Sequence, residues 1–200
     1  YKRQRRSFIA GVAGSSLMMS MGSLVSGCSS EQASEALTSS DLSKVFAPNI
    51  WFEINGAGEV LINIIRAEMG QHVGTSLAQI VADELGADWS KVSFKHVDTD
   101  PKWGVMVTGG SWSVHTSFTQ LSQAGAAGRT VIIDAASKLM GVPAEACSVE
   151  NGAVSAGDKS LTFAEIVSNG DFSRSISEEE LAAMPVKSAG ERKVIGRDVR

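Results

Sequence analysis

The run Ala124-Gly125-Ala126-Ala127-Gly128 sits in the middle of the longest helix-periodic stretch of the chain, Ser113–Met140. It constrains the fold more than any other feature. Two glycines inside a helix cost about 1 kcal/mol each relative to alanine. A helix tolerates them where something packs too close for a side chain, either another helix or a ligand. Gly141 ends the stretch, with Pro143 just beyond. Upstream, Leu77, Ile80, Val81 and Leu85 repeat with helical spacing until Gly86. Ile50–Asn55 and Glu59–Ile65 read as strands of a hairpin around Gly56-Ala57-Gly58, and Val92–Val97 as a further strand. A short hairpin is expected at Asn151-Gly152, a helix start at the capping box Thr162–Glu165, and a short helix at Glu178–Ala183. The order ββαβα with small additions predicts an α+β fold, a small mixed sheet with helices packed on one face.

Composition narrows what such a fold can do. With 200 residues and 43% hydrophobic content, the chain can bury a core, and a net charge of -4 is too small for wholesale disorder. Acidic residues (22) outnumber basic ones (18), which disfavours nucleic-acid binding. Two cysteines, Cys28 and Cys147, cannot build a disulfide framework, and three histidines (His72, His96, His115) make a protein-only metal site hard to assemble. The basic charge is uneven. Lys2, Arg3, Arg5 and Arg6 precede an apolar, small-residue run from Phe8 to Val25 that contains no acid. Residues 1–27 therefore read as a targeting segment. Arg5-Arg6-Ser7-Phe8-Ile9 resembles a twin-arginine export signal, and Val25-Ser26-Gly27-Cys28 a lipoprotein processing site whose cysteine is acylated. A plain signal peptide or an uncleaved anchor are the alternatives; the glycines and serines make a spanning helix marginal. Residues 28–45 read as a flexible tether, and 46–200 as the folded part.

Two loops carry the chemistry, and each leads into a helix. In Glu68-Met69-Gly70-Gln71-His72-Val73-Gly74-Thr75 the glycines let a ligand approach the backbone, and Gln71 offers donor and acceptor groups. In Thr108-Gly109-Gly110-Ser111-Trp112-Ser113, unhindered N–H groups and hydroxyls at a helix start suit a phosphate. Such junctions are also common without any ligand. Neither loop matches the Walker pattern or the G-x-G-x-x-G fingerprint, which disfavours a nucleotide-hydrolysing P-loop protein.

Taken in order, Glu68-Met69-Gly70-Gln71 with Thr75, Leu77–Leu85 ending at Asp88-Trp89, Asp100-Pro101, Thr108-Gly109-Gly110-Ser111 and Ala124-Gly125-Ala126-Ala127 carry a resemblance. From Phe46 onward the chain resembles the molybdopterin-binding large subunit of the xanthine dehydrogenase/aldehyde oxidase family, of the isoquinoline 1-oxidoreductase beta-subunit type. The resemblance implies part of a molybdopterin-binding domain. It places Gly70, Gln71 and Thr75 on a loop near the metal, and Gly109, Gly110, Ser111 and Ser113 on a loop holding the pyrophosphate or pterin. The family has glycine after the glutamine where this chain has His72, which either crowds the cofactor or points away from it. His96 and His115 read as structural.

The resemblance further implies an oxidoreductase that hydroxylates aldehydes or N-heterocycles with oxygen from water. Its cofactor would be molybdopterin, in the cytosine dinucleotide form. Electrons would leave through a small iron–sulfur subunit carrying two [2Fe–2S] clusters, for which this chain has no cysteine set, and then to a cytochrome c acceptor. The catalytic glutamate of the family has no counterpart motif here, and members run to several hundred residues. The expectation is one inactive lobe of a cofactor cleft, periplasmic and held to the membrane by lipidated Cys28. The competing reading is a non-enzymatic periplasmic lipoprotein that binds an anion or a protein partner.

Overall fold

Strand β2 (Phe52–Asn55) and strand β3 (Val60–Ile64) alternate buried and partly buried residues, and they pair antiparallel with Phe52 opposite Ile62. The computed structural model describes residues 44–197. Arg5, Arg6, Cys28 and the tether as far as residue 43 lie outside the described residues, as do 198–200. The chain divides into Tyr1–Glu35 and Ala36–Arg200, and every element named below belongs to the second unit. Strand β1 (Val45–Phe46) adds to β2 with Val45 opposite Asn55, so the fold begins one residue before the sequence-based boundary at 46. Strand β4 (Val92–His96) runs parallel to β3, completing a mixed sheet of order β1-β2-β3-β4.

Helix α1 (Val73–Leu85) makes the crossover between β3 and β4, burying Leu77, Ile80, Val81 and Leu85, and stops at Gly86 with φ +73°. Phe52, Ile54, Val60, Ile62 and Ile64 supply the sheet's side of the core. Helix α2 (Trp112–Met140) packs along α1. A Cβ on Gly125 would stand 2.7 Å from the Glu84 Cβ and 2.9 Å from the Val81 carbonyl oxygen; on Gly128 it would collide with Phe52 Cζ. The close partner of the small-residue run is therefore α1 together with β2. The alternative of a ligand at that run falls away.

A second sheet, β5 (Ser148–Glu150), β6 (Ala153–Ala156) and β7 (Lys159–Thr162), is an antiparallel meander. The sequence reading anticipated its Asn151-Gly152 turn but not β7. Helix α3 (Phe163–Asn169) starts at the expected capping box, and α4 occupies Glu178–Ala183. No helix among the described residues is long and apolar enough to cross a membrane.

Two acids at the end of α1 hold the last described segment. Asp83 is buried, and its carboxylate accepts the N–H groups of Lys193, Val194 and Ile195 at 2.6, 2.8 and 2.7 Å. Glu84, fully buried, pairs with Arg192 at 2.7 Å and Arg129 at 3.3 Å and accepts the Lys187 N–H at 3.1 Å. Every charge on this pair is matched by a cation or by backbone donors, which a buried carboxylate requires.

Candidate functional site

Both chemically promising loops lead into a helix, and the fold brings them together. The first follows β3. The Glu68 carboxylate accepts the N–H of Gly70 at 2.7 Å, of His72 at 3.0 Å and of Gly74 at 3.4 Å. Burial alone would raise its pKa, but these backbone donors, aided by the nearby His72 charge, hold the Glu68 carboxyl below its ordinary value. The N-terminus of α1 thus has its own anion. The Gln71 side chain is also engaged locally: its Oε1 accepts the Met69 N–H at 2.6 Å and its Nε2 donates to the Ala67 carbonyl at 2.8 Å. Gly70 (φ +97°) and His72 (φ +57°) both take left-handed backbone.

The second loop opens α2. Gly110 (φ +56°) and Ser111 (φ +60°) adopt left-handed conformations in succession, and the Trp112 N–H closes the turn on the Gly109 carbonyl at 3.0 Å. Ser111 occupies the N-cap position, yet no side chain caps α2. The free donors and the positive end of the helix dipole are thus left for an external acceptor. A Cβ at Gly109 would meet nothing within 4 Å.

Arg66 and Thr108 tie the loops to each other. The Ala67 N–H donates to Thr108 Oγ1 at 2.7 Å. The buried Arg66 guanidinium donates to the carbonyls of Val105 (3.1 Å) and Val107 (2.5 Å), to Thr116 Oγ1 (2.8 Å) and to Ser117 Oγ (3.2 Å). Its own carbonyl is bonded to His96 Nδ1 at 2.8 Å, a structural role for that histidine. Burial lowers the Arg66 pKa.

Between the loops lies a cleft of about 280 Å³, walled by Met69, Gln71, Val73 and Ser76 on one side and by residues 108–111, Ser113 and Val114 on the other. The fold thus brings Gln71, Gly109, Gly110, Ser111 and Ser113 into the lining of one cleft. Gly70, Thr75 and His72 lie outside its lining, and His115 is exposed on α2. Larger hollows of 560 to 700 Å³ lie elsewhere on the surface. None of them has an uncapped helix start of several turns in its wall. Among the described residues no group of His, Cys, Asp and Glu could hold a metal ion. Sequence reasoning missed Arg66. The available signal was a charge placed directly after the largely apolar run Leu61-Ile62-Asn63-Ile64-Ile65.

A family model described as a molybdopterin cofactor-binding domain matches residues 2–191. The chain belongs to the molybdopterin cofactor-binding domain family. Among curated relatives, this molybdopterin-binding chain is 52% identical over 151 residues to a protein of Gluconacetobacter polyoxogenes named membrane-bound aldehyde dehydrogenase [pyrroloquinoline-quinone], covering 76% of the chain and 20% of that protein. It is 31% identical over 132 residues to the beta subunit of isoquinoline 1-oxidoreductase from Brevundimonas diminuta, covering 62% and 17%. It is likewise 31% identical over 133 residues to a nicotinate dehydrogenase subunit of Pseudomonas putida, covering 65% and 11%. Quinoline 2-oxidoreductase of Pseudomonas putida 86 aligns in three dimensions at a TM-score of 0.45 and 24% identity, over 58% of this chain and 15% of that one. The molybdopterin-binding chain spans a fifth or less of the length of these curated relatives.

Proposed function

We propose that this chain supplies one wall of the cofactor site in the large subunit of a molybdenum hydroxylase. The observation that carries the reading is the joining of two sequence-distant loops into one cleft with an uncapped α2 start and two accessible glycines. The cleft suits the anionic part of a pterin cofactor: Gly109, Gly110 and Ser111 would hold its phosphate oxygens through N–H and hydroxyl groups. Gln71 and Ser113 would face the same ligand, with Gly70 and Thr75 shaping the first loop behind it. When bound, the cofactor supplies a two-electron acceptor for oxidising a carbon centre with oxygen taken from water. The protein's residues bind and orient it, and the reacting acid or base comes from elsewhere in the subunit.

Aldehydes are the favoured substrate class, because the 52%-identical relative is named an aldehyde dehydrogenase; N-heterocycles follow from the names of the 31%-identical ones. Two electrons and two protons leave per aldehyde converted to acid, which calls for a partner subunit with iron–sulfur clusters, and a cytochrome c beyond it. The cytosine dinucleotide form of molybdopterin, twin-arginine export through Arg5 and Arg6, and periplasmic anchoring through acylated Cys28 complete the reading. Molybdenum and pterin analysis of the full-length protein tests it. Gly109→Ala leaves the melting temperature unchanged, because its Cβ enters open space, and lowers pterin content by obstructing the ligand. Pterin at wild-type level in that variant, or a quinone in place of pterin, would sink the cradle.

A further inference from the structure

Arg66 is buried, yet every partner it has is neutral: two carbonyls and two hydroxyls, with no carboxylate in ion-pairing reach among the described residues. A buried cation held only by dipoles is costly, so its geometry must do something a neutral residue could not. The guanidinium is a planar fork, and here each prong serves a different piece of chain. Nη1 takes the carbonyls of Val105 and Val107, on the approach to the second loop. Nη2 takes Thr116 Oγ1, and together with Nε it takes Ser117 Oγ, in the first turns of α2. The following residue, Ala67, donates its N–H to Thr108 and accepts from Gln71, both of which line the cleft.

We propose that Arg66 is a positioning residue: its guanidinium fork fixes the 105–117 segment, and with it the uncapped start of α2, against the Glu68–Gln71 loop. Two flanks of one loop-to-helix turn are gripped by one rigid group anchored at the end of β3. The Gly109–Ser111 turn is therefore presented in a set position before any ligand arrives, and binding does not have to order it. The consequence for the cofactor rests on the proposed function of the cleft; the clamp itself does not.

The test uses the full-length protein freed of cofactor, read by amide hydrogen exchange, beside pterin content of the protein as purified. Arg66→Lys keeps the charge but concentrates its donors at one point, so it cannot reach all four acceptors. Exchange over 105–117 should rise about tenfold, while Val73–Leu85 and the β2–β3 hairpin stay as protected as in the wild type. Pterin content should fall with them. Ser117→Ala, which removes a single acceptor of the guanidinium, should show the same local pattern at smaller amplitude. Wild-type exchange over 105–117 in Arg66→Lys overturns the proposal, and so does a rise of equal size across the whole fold. Should Arg66→Lys fail to fold, Ser117→Ala decides: faster exchange confined to 105–117 supports the clamp, and an unchanged profile overturns it. Failure of the cofactor reading looks different. Gly109→Ala would then keep its pterin while the cofactor-free exchange result stands.

Discussion

At the scale of single residues, the two loops divide the work of handling negative charge. Glu68 already meets the N-terminus of α1, where three backbone N–H groups keep its carboxyl below the ordinary glutamate range. Because the folded pKa is depressed, this stabilisation is present above the unfolded value of about 4.3 and is lost as pH falls through the lower folded value. Thermal melts across that acid window should fall more steeply in the wild type than in Glu68→Gln, which keeps an acceptor but no titration. Equal slopes would remove Glu68 as the resident anion. The glycines also divide. Gly110 sits at φ +56°, where valine is strained whatever the space, whereas Gly109 has neither positive φ nor a close neighbour. A Cβ test of the cleft therefore belongs at Gly109. The sequence pointed to these loops through glycines, hydroxyls and the family resemblance. It could not show that Gln71 bonds its own loop, or that Arg66 reaches across to residues about forty to fifty positions away.

At the scale of elements, periodicity located both long helices, because each buries a continuous apolar stripe, and the capping box located α3. The two-residue β1 and the polar β7 carry too little alternation to be seen alone; pairing with β2 and β6 defines them. The small-residue run proved to be a helix contact, and the structure says which positions are tight. Gly125→Ala should cost about 1–3 kcal/mol in denaturant unfolding, since its Cβ meets backbone and the root of Glu84. Ala127, in the same run, lines a groove of about 700 Å³. Ala127→Leu should therefore destabilise less than Gly125→Ala, and the reverse order would misplace the helix contact. Asp83 and Glu84, invisible as anything but helix-surface acids, clasp the segment 187–195. Glu84→Gln leaves Arg129 and Arg192 without their carboxylate in a buried site, a loss of about 3–5 kcal/mol. Limited proteolysis should then cut near Lys187 and Lys193 first; an intact segment in a destabilised variant would count against the clasp.

At the scale of the whole molecule, the chain spans a fifth or less of the length of its curated relatives, so its proposed part in the cofactor site is tested in the full-length protein. Export belongs to the proposed reading: lysines at both Arg5 and Arg6 should leave the precursor in the cytoplasm, and Cys28→Ser should free the mature protein from membranes. Fractionation that finds either variant behaving as wild type removes the corresponding element. The unequal helix starts also have a bearing on how a guest can lie between them. Glu68, outside the lining of the cleft, already occupies the start of α1, whereas α2 begins bare in the cleft wall. An elongated molecule charged at one tip therefore meets a polarised berth. Its negative tip is expected at the start of α2, the one end of the cleft where helix donors stand free.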